Sequence, residues 1–205
     1  MEKTNKAFIQ LHLSVMLAGF TGLFGKLITL NEVDIVWYRM FFTSLILIVF
    51  TGLPKISLKK LAQLAMCGAL LGLHWMMFYG SIKASNVSIG VICYSLVGVF
   101  TAIFEPAILK RKFSWTEIAF SLITVLGLLC VFSFDSRYRY GILIGVGSAA
   151  ISSIYSIFNK KYSKGIKSRT VLFYEMSAGL VIVTAIIPIY TTIFNIHQDI
   201  QVIPS

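Results

Sequence analysis

The sequence predicts an all-α polytopic membrane protein with about seven transmembrane helices, and three observations predict it. Hydrophobic residues make up 57% of the chain and charged residues only 13%, with a mean hydropathy of +0.84. A soluble domain carries about a quarter charged residues, so this chain lacks the polar surface that water requires. The apolar residues fall in seven long runs: 7–30, 34–53, 61–82, 88–109, 115–134, 140–159 and 170–194. A membrane helix needs about 20 mostly apolar residues. The runs are continuous, whereas the strands of a membrane barrel alternate over about 10 residues.

The first run follows a basic start, "MEKTNK", like that of a signal peptide. It continues past any small-residue cleavage site, so it reads as a retained helix. Its "GFTGLFG" puts Gly19, Gly22 and Gly25 along one stripe, and small residues let helix backbones approach in a membrane. The second run opens "NEVDIVWYRMFF", with Arg39 inside it. The third spaces Gly68 and Gly72 four apart and carries His74, Trp75 and Tyr79 in "GLHWMMFYG". The fourth holds Tyr94 and ends in "FTAIFEPAILKRK", where Pro106 removes a backbone donor and is expected to kink the helix. The fifth follows the basic turn "KRKFS". The sixth again spaces two glycines four apart, Gly141 and Gly145, and offers Ser148, Ser152 and Ser156 for interhelical bonds or for solute. The seventh, "TVLFYEMSAGLVIVTAIIPIYTTIF", carries Glu175 and no lysine, so it cannot hold a retinal.

The formal net charge of +10 would suggest nucleic acid on a soluble protein. Here the basic residues sit in short gaps between apolar runs. They read as topology determinants and as contacts to the lipid bilayer, not to nucleic acid. Along one set of ends lie Lys3, Lys6, Lys55, Lys59, Lys60, Lys110, Arg111, Lys112, Lys160, Lys161, Lys164, Lys167 and Arg169. The opposite ends carry Lys83, Arg137 and Arg139, with the acids Glu32, Asp34, Asp135 and Asp199. The positive-inside rule places the basic ends and the N-terminus in the cytoplasm, and the C-terminal "NIHQDIQVIPS" outside.

Two stretches repeat. Trp37, Tyr38, Arg39 and Met40 fall on Phe173, Tyr174, Glu175 and Met176 at an offset of 136, while Phe24 and Lys26 fall on Phe158 and Lys160 at 134. Five runs separate the copies, and an odd number inverts the second relative to the first. Inverted repeats mark secondary transporters, which alternate access by rocking one repeat against the other.

At this point the chain resembles the EamA-type transporters of the drug/metabolite transporter superfamily. The resemblance lies in "WYR" opening the second helix, in "ALLGLHWMMFYGSIKASNVSIGVICYSLVGVFTAIFEP" across the third and fourth, and in "KRKFSWTEI" leading to "VLGLLCVF" in the fifth. It covers one five-helix repeat, residues 1–134, and the first two helices of a second, residues 140–205. It implies ten helices in two inverted repeats and transport of small organic solutes, metabolites or drugs, often outward. Two features depart from the family pattern: Gly98 stands where a proline is frequent, and Arg111 where a glutamate is. Two repeats need about 270 residues. The expectation is therefore a fragment or truncated chain, or one completed by a second copy in a homodimer. A bacterial inner membrane is the expected location. The alternative function is a non-transporting membrane subunit or an inactive half-transporter.

Arg39 lies about 7 Å inside the non-basic end of its helix, at 1.5 Å per residue. A charge at the bilayer centre costs about 2.5–3.5 kcal/mol, and less near the ends. Glu175 lies at the matching depth from the basic end of the last helix. One reading is snorkelling, each side chain reaching its nearer interface. The other makes them gate charges at the two mouths of a pathway, too far apart to pair. Arg39 would then clamp an anionic group, and Glu175 would meet a base or carry a proton. Glu105 either snorkels to Lys110 or Lys112 or serves as a gate. His74 either shuttles a proton or bonds a neighbouring helix. Trp75, Tyr79 and Tyr94 either line a solute pocket or pack.

Cys67, Cys93 and Cys130 are scattered through apolar runs, which suits small buried hydrophobes and neither a disulfide framework nor a metal site. His12, His74 and His197 lie at three different depths. No HExxH, GxSxG or paired-acid motif occurs, so neither an enzyme nor a cofactor is expected.

Overall fold

The computed structural model of the chain describes residues 2–131 and 136–194, with side chains from Phe8 to Gly127 (Ala18 aside) and from Arg137 to Thr192. The expectations for Lys3, Lys6, Cys130, Asp135, His197 and Asp199, and for the far end of the fifth run, fall outside the described residues. The elements are α1 (Glu2–Leu27), α2 (Glu32–Thr51), α3 (Leu58–Ala84), α4 (Val87–Tyr94), α5 (Val97–Leu109), α6 (Trp115–Val131), α7 (Arg139–Tyr162) and α8 (Ser168–Phe194). No strand occurs among the described residues. Among the described residues six spans are long and apolar enough to cross a membrane: α1, α2, α3, α4 with α5, α7 and α8. The apolar part of α6, Trp115–Gly127, is shorter. The chain is an all-α polytopic membrane protein.

Local chemistry starts and stops these helices. Helix N-termini leave backbone N–H groups unpaired, and Asn or Ser side chains accept from them. Asn31 accepts from the Asp34 N–H at 2.8 Å and donates to the Asp34 carboxylate at 2.7 Å. Asn86 accepts from the Ile89 N–H at 2.9 Å, opening α4. Gly52 closes α2 with φ 62°, donating its N–H to Ile48 O at 2.9 Å. That left-handed conformation suits a residue without Cβ.

The fourth run is not one helix. It breaks at Ser95–Leu96, where Ser95 N–H bonds both Val91 O and Ile92 O and Leu96 N–H bonds Cys93 O at 3.1 Å. The i→i−3 bonds tighten this turn and re-aim the chain. This interruption precedes Pro106, which sits in the last turns of α5. Lys110, in the left-handed region at φ 52°, then ends that helix.

Helix α3 is the central element, packing most extensively on α7 and α8, while α8 also packs on α2. The core holds Val33, Val36 and Met40 of α2, Leu71, Tyr79 and Ile82 of α3, and Met176 and Val183 of α8. Met40 and Met176, the matched methionines of the two repeated stretches, are 0% and 1% exposed. Trp37 Nε1 donates to Thr184 Oγ1 at 2.8 Å, adding a polar tie between α2 and α8.

Small residues set the crossings. A Cβ on Gly68 would run into the Glu175 backbone carbonyl and come within 3.0 Å of the Gly179 nitrogen, so α3 and α8 touch backbone to backbone. Gly141 and Gly145 of α7 face Ser85, Ser81 and Cys93 at 2.6–2.7 Å from the same hypothetical atom. Gly72 faces Met40 and Val183, Gly22 faces Val91 and Val87, and Gly25 faces the Tyr79 ring. Among the described residues nothing lies within 4 Å of a Cβ on Gly19. The outward surface carries Ile9, Val49, Phe50 and Leu143, each more than two-thirds exposed. Such a surface belongs against lipid tails.

Candidate functional site: polar groups along the central helix

Four polar clusters are strung along α3 and its neighbours. The first is built on Arg39. Its guanidinium lies 3.9 Å from the Trp75 ring centroid and donates to Tyr79 Oη at 2.9 Å. Trp75 and Tyr79 are four apart on α3, one helical turn, so one face of that helix presents both. A planar cation stacked on an aromatic face is shed of water at small cost. Arg39 therefore turns into the bundle, and simple snorkelling does not describe it.

The second cluster joins α3 to α7. His74 Nδ1 lies 2.9 Å from Ser148 Oγ and 3.1 Å from Ser148 O, and Ser148 Oγ donates to His74 O at 3.1 Å. A carbonyl only accepts, so Nδ1 carries a proton toward it. The imidazole stacks on Tyr94 at 5.4 Å, and Phe78 meets both rings.

The third cluster surrounds Glu175, which is 1% exposed. Tyr155 donates to Oε2 at 3.1 Å, and the Asn159 amide lies 3.5 Å from the same oxygen while donating to Tyr155 Oη at 2.8 Å. Oε1 has no hydrogen-bond partner. No ion pair joins Glu175 to Arg39. Their contacts on α3, Gly68 and Tyr79, are eleven residues apart, about 16 Å along the axis.

The fourth cluster lies at the basic end. Glu105 pairs with Arg111 at 2.9 Å and with Lys160 at 2.9 Å, not with Lys110 or Lys112 as the sequence suggested. The left-handed Lys110 reverses the chain and brings Arg111 back over the helix end. Lys160 arrives from α7. Arg111 also reaches Glu117 at 3.4 Å, and Lys60 Nζ donates to Tyr162 O at 2.9 Å. These contacts tie α3, α5, α6 and α7 together at one end. Glu105→Gln is expected to lower stability by about 1 kcal/mol, since both cations stay partly solvated. A thermal melt of the purified variant checks this; an unchanged midpoint would show the pairs to be idle.

A cavity of about 380 Å³ opens at the other end, lined by Glu32, Leu73, Met76, Met77, Gly80, Lys83, Ala84, Tyr140, Ile144 and Tyr190. Tyr190 donates to Glu32 Oε1. Lys83 Nζ reaches Ile28 O at 3.3 Å, and it does not come within the 4.0 Å of an ion pair with Glu32. The wall is apolar with one carboxylate and one ammonium.

Sequence reasoning missed this cavity and missed Tyr155 and Asn159. The latter two were within reach: Ser148, Ser152, Tyr155 and Asn159 fall at 0, 4, 7 and 11 along one helical face. The cavity residues come from the ends of four helices, and nothing in their spacing joins them.

The family model described as the EamA-like transporter family matches residues 5–133. The chain belongs to this family. A curated relative, the uncharacterized transporter YcxC of Bacillus subtilis (strain 168), is 27% identical over 195 residues. The match covers 88% of this chain and 62% of the relative, so the chain spans less than two-thirds of that relative's length. No solved structure matches the chain. The matched stretch of this EamA-like chain carries Arg39, His74, Trp75, Tyr79, Tyr94 and Glu105; Glu175 lies beyond it.

Proposed function

We propose that the chain supplies the first five-helix repeat, residues 1–134, and the opening of an inverted second repeat, residues 140–205, of a secondary active transporter. It moves small organic solutes outward by alternating access across a bacterial inner membrane, with its basic ends in the cytoplasm. The observation that carries this reading is the cavity between the ends of α2, α3, α7 and α8, with the Arg39–Trp75–Tyr79 cluster next to it on α3. The cavity draws on both proposed repeats, where transporter sites lie. Met76 and Gly80 face it, each the next residue after Trp75 and Tyr79. Arg39 clamps an anionic group, the rings of Trp75, Tyr79 and Tyr94 take the apolar body, and His74 fastens α3 to α7. The Glu105 ion pairs close the basic end.

The test is overexpression of the intact protein in its own cells, with mass spectrometry of small molecules in cells and medium. At least one organic compound is expected to fall inside and rise outside. A membrane scaffold would change neither. Unaltered profiles across growth conditions, with the protein verified in the membrane, would defeat the reading.

A further inference from the structure

We propose that Glu175 is a proton-binding residue and that its proton drives the solute movement described above, on which this second part rests. Glu175 is 1% exposed; its backbone carbonyl packs on Gly68 of α3, while its carboxylate meets Tyr155 and Asn159 of α7. Among the described residues no Lys, Arg or His comes within 4.0 Å of it. The groups that face it are few. Helix α7 offers Tyr155 and the Asn159 amide. Helix α3 offers the Cys67 thiol. Helix α2 brings Met40 against Gly179, one turn along α8 from Glu175.

A buried carboxyl group is held in a low-dielectric interior only when a cation or a proton balances it. No cation among the described residues does so here. A metal cation needs several oxygen ligands, but Tyr155 and Asn159 both turn N–H or O–H toward Oε2. They donate and do not coordinate. Oε1 is left open to take a proton, while the two donors on Oε2 hold the anion when the proton leaves. The chain Asn159–Tyr155–Glu175 leads from the half-buried end of α7, one residue from the exposed Lys160, to the buried acid. Tyr155 is the one hydroxyl in that chain able to pass a proton to the acid. The residue thus has two states, and each is served by neighbours already in place.

Infrared difference spectra of the intact protein between acid and alkaline buffer test the proton site without any solute. The protonated-carboxyl band is expected to lose one carboxyl's share in Glu175→Gln, with the helical amide bands unchanged. In Tyr155→Phe the band is expected to shift and not vanish. An identical carboxyl band in Glu175→Gln, or an unshifted one in Tyr155→Phe, overturns the proposal. Coupling is read in liposomes holding the intact protein under an imposed pH gradient, with the small-molecule extract of its own cells as probe. The wild type is expected to concentrate at least one compound, and Glu175→Gln about tenfold less of it. Equal concentration by the variant sinks the coupling. Failure of the wild type to concentrate anything defeats the transport reading instead, while the infrared result still decides the proton site.

Discussion

Gly68→Val is expected to disassemble the bundle. The added Cβ would overlap the Glu175 carbonyl and crowd the Gly179 nitrogen, and neither is the tip of a flexible side chain. The helices must separate, and the backbone contact between α3 and α8 goes with them. Overpacking costs about 1–3 kcal/mol where side chains can yield, and backbone against backbone belongs at or above the upper end. Separation would also loosen Met40, Leu71 and Val183, which fill the same junction. Size-exclusion profile and melting midpoint in detergent check this. A monodisperse variant with the wild-type midpoint would mean that the two helices do not meet there.

Arg39→Ala is expected to lower solute transport by about tenfold at equal amounts in the membrane, since a charge-assisted contact to a solute anion is lost. The fold should survive. The variant loses the stack on Trp75 and the bond to Tyr79, together about 1–2 kcal/mol, but it also sheds the cost of holding a charge in the membrane. Arg39→Lys should restore little, because a lysine cannot stack as a plane or bind in two places. Transport by either variant at the wild-type rate would reduce Arg39 to a packing residue.

The spans were legible because seven continuous apolar runs leave the backbone no other membrane-crossing form but the helix. The same applies to the charges: Arg39, Glu105 and Glu175 stood out against apolar neighbours, and His74 stood near the middle of its run. Their partners did not stand out. Lys160 reaches Glu105 across fifty-five positions, and Arg111 points back only because Lys110 turns left-handed. The break at Ser95–Leu96 lies in "CYSLVG", with no proline to announce it. Its cause is a switch of backbone bonding that propensity does not encode. Nor does residue type reveal crowding. Gly19 and Gly25 look alike in "GFTGLFG", yet only Gly25 has a ring against it. Spacing on one helix gives a face; what covers that face is a tertiary fact.

The proposed movement of small organic solutes across the membrane is tested most directly with purified intact protein in sealed liposomes, offered the small-molecule extract of its own cells. Mass spectrometry of the washed liposomes should find at least one organic compound inside at several times its level in protein-free liposomes. That excess should fall in Arg39→Ala. Contents indistinguishable from protein-free liposomes, with the protein monodisperse and correctly inserted, would contradict the account.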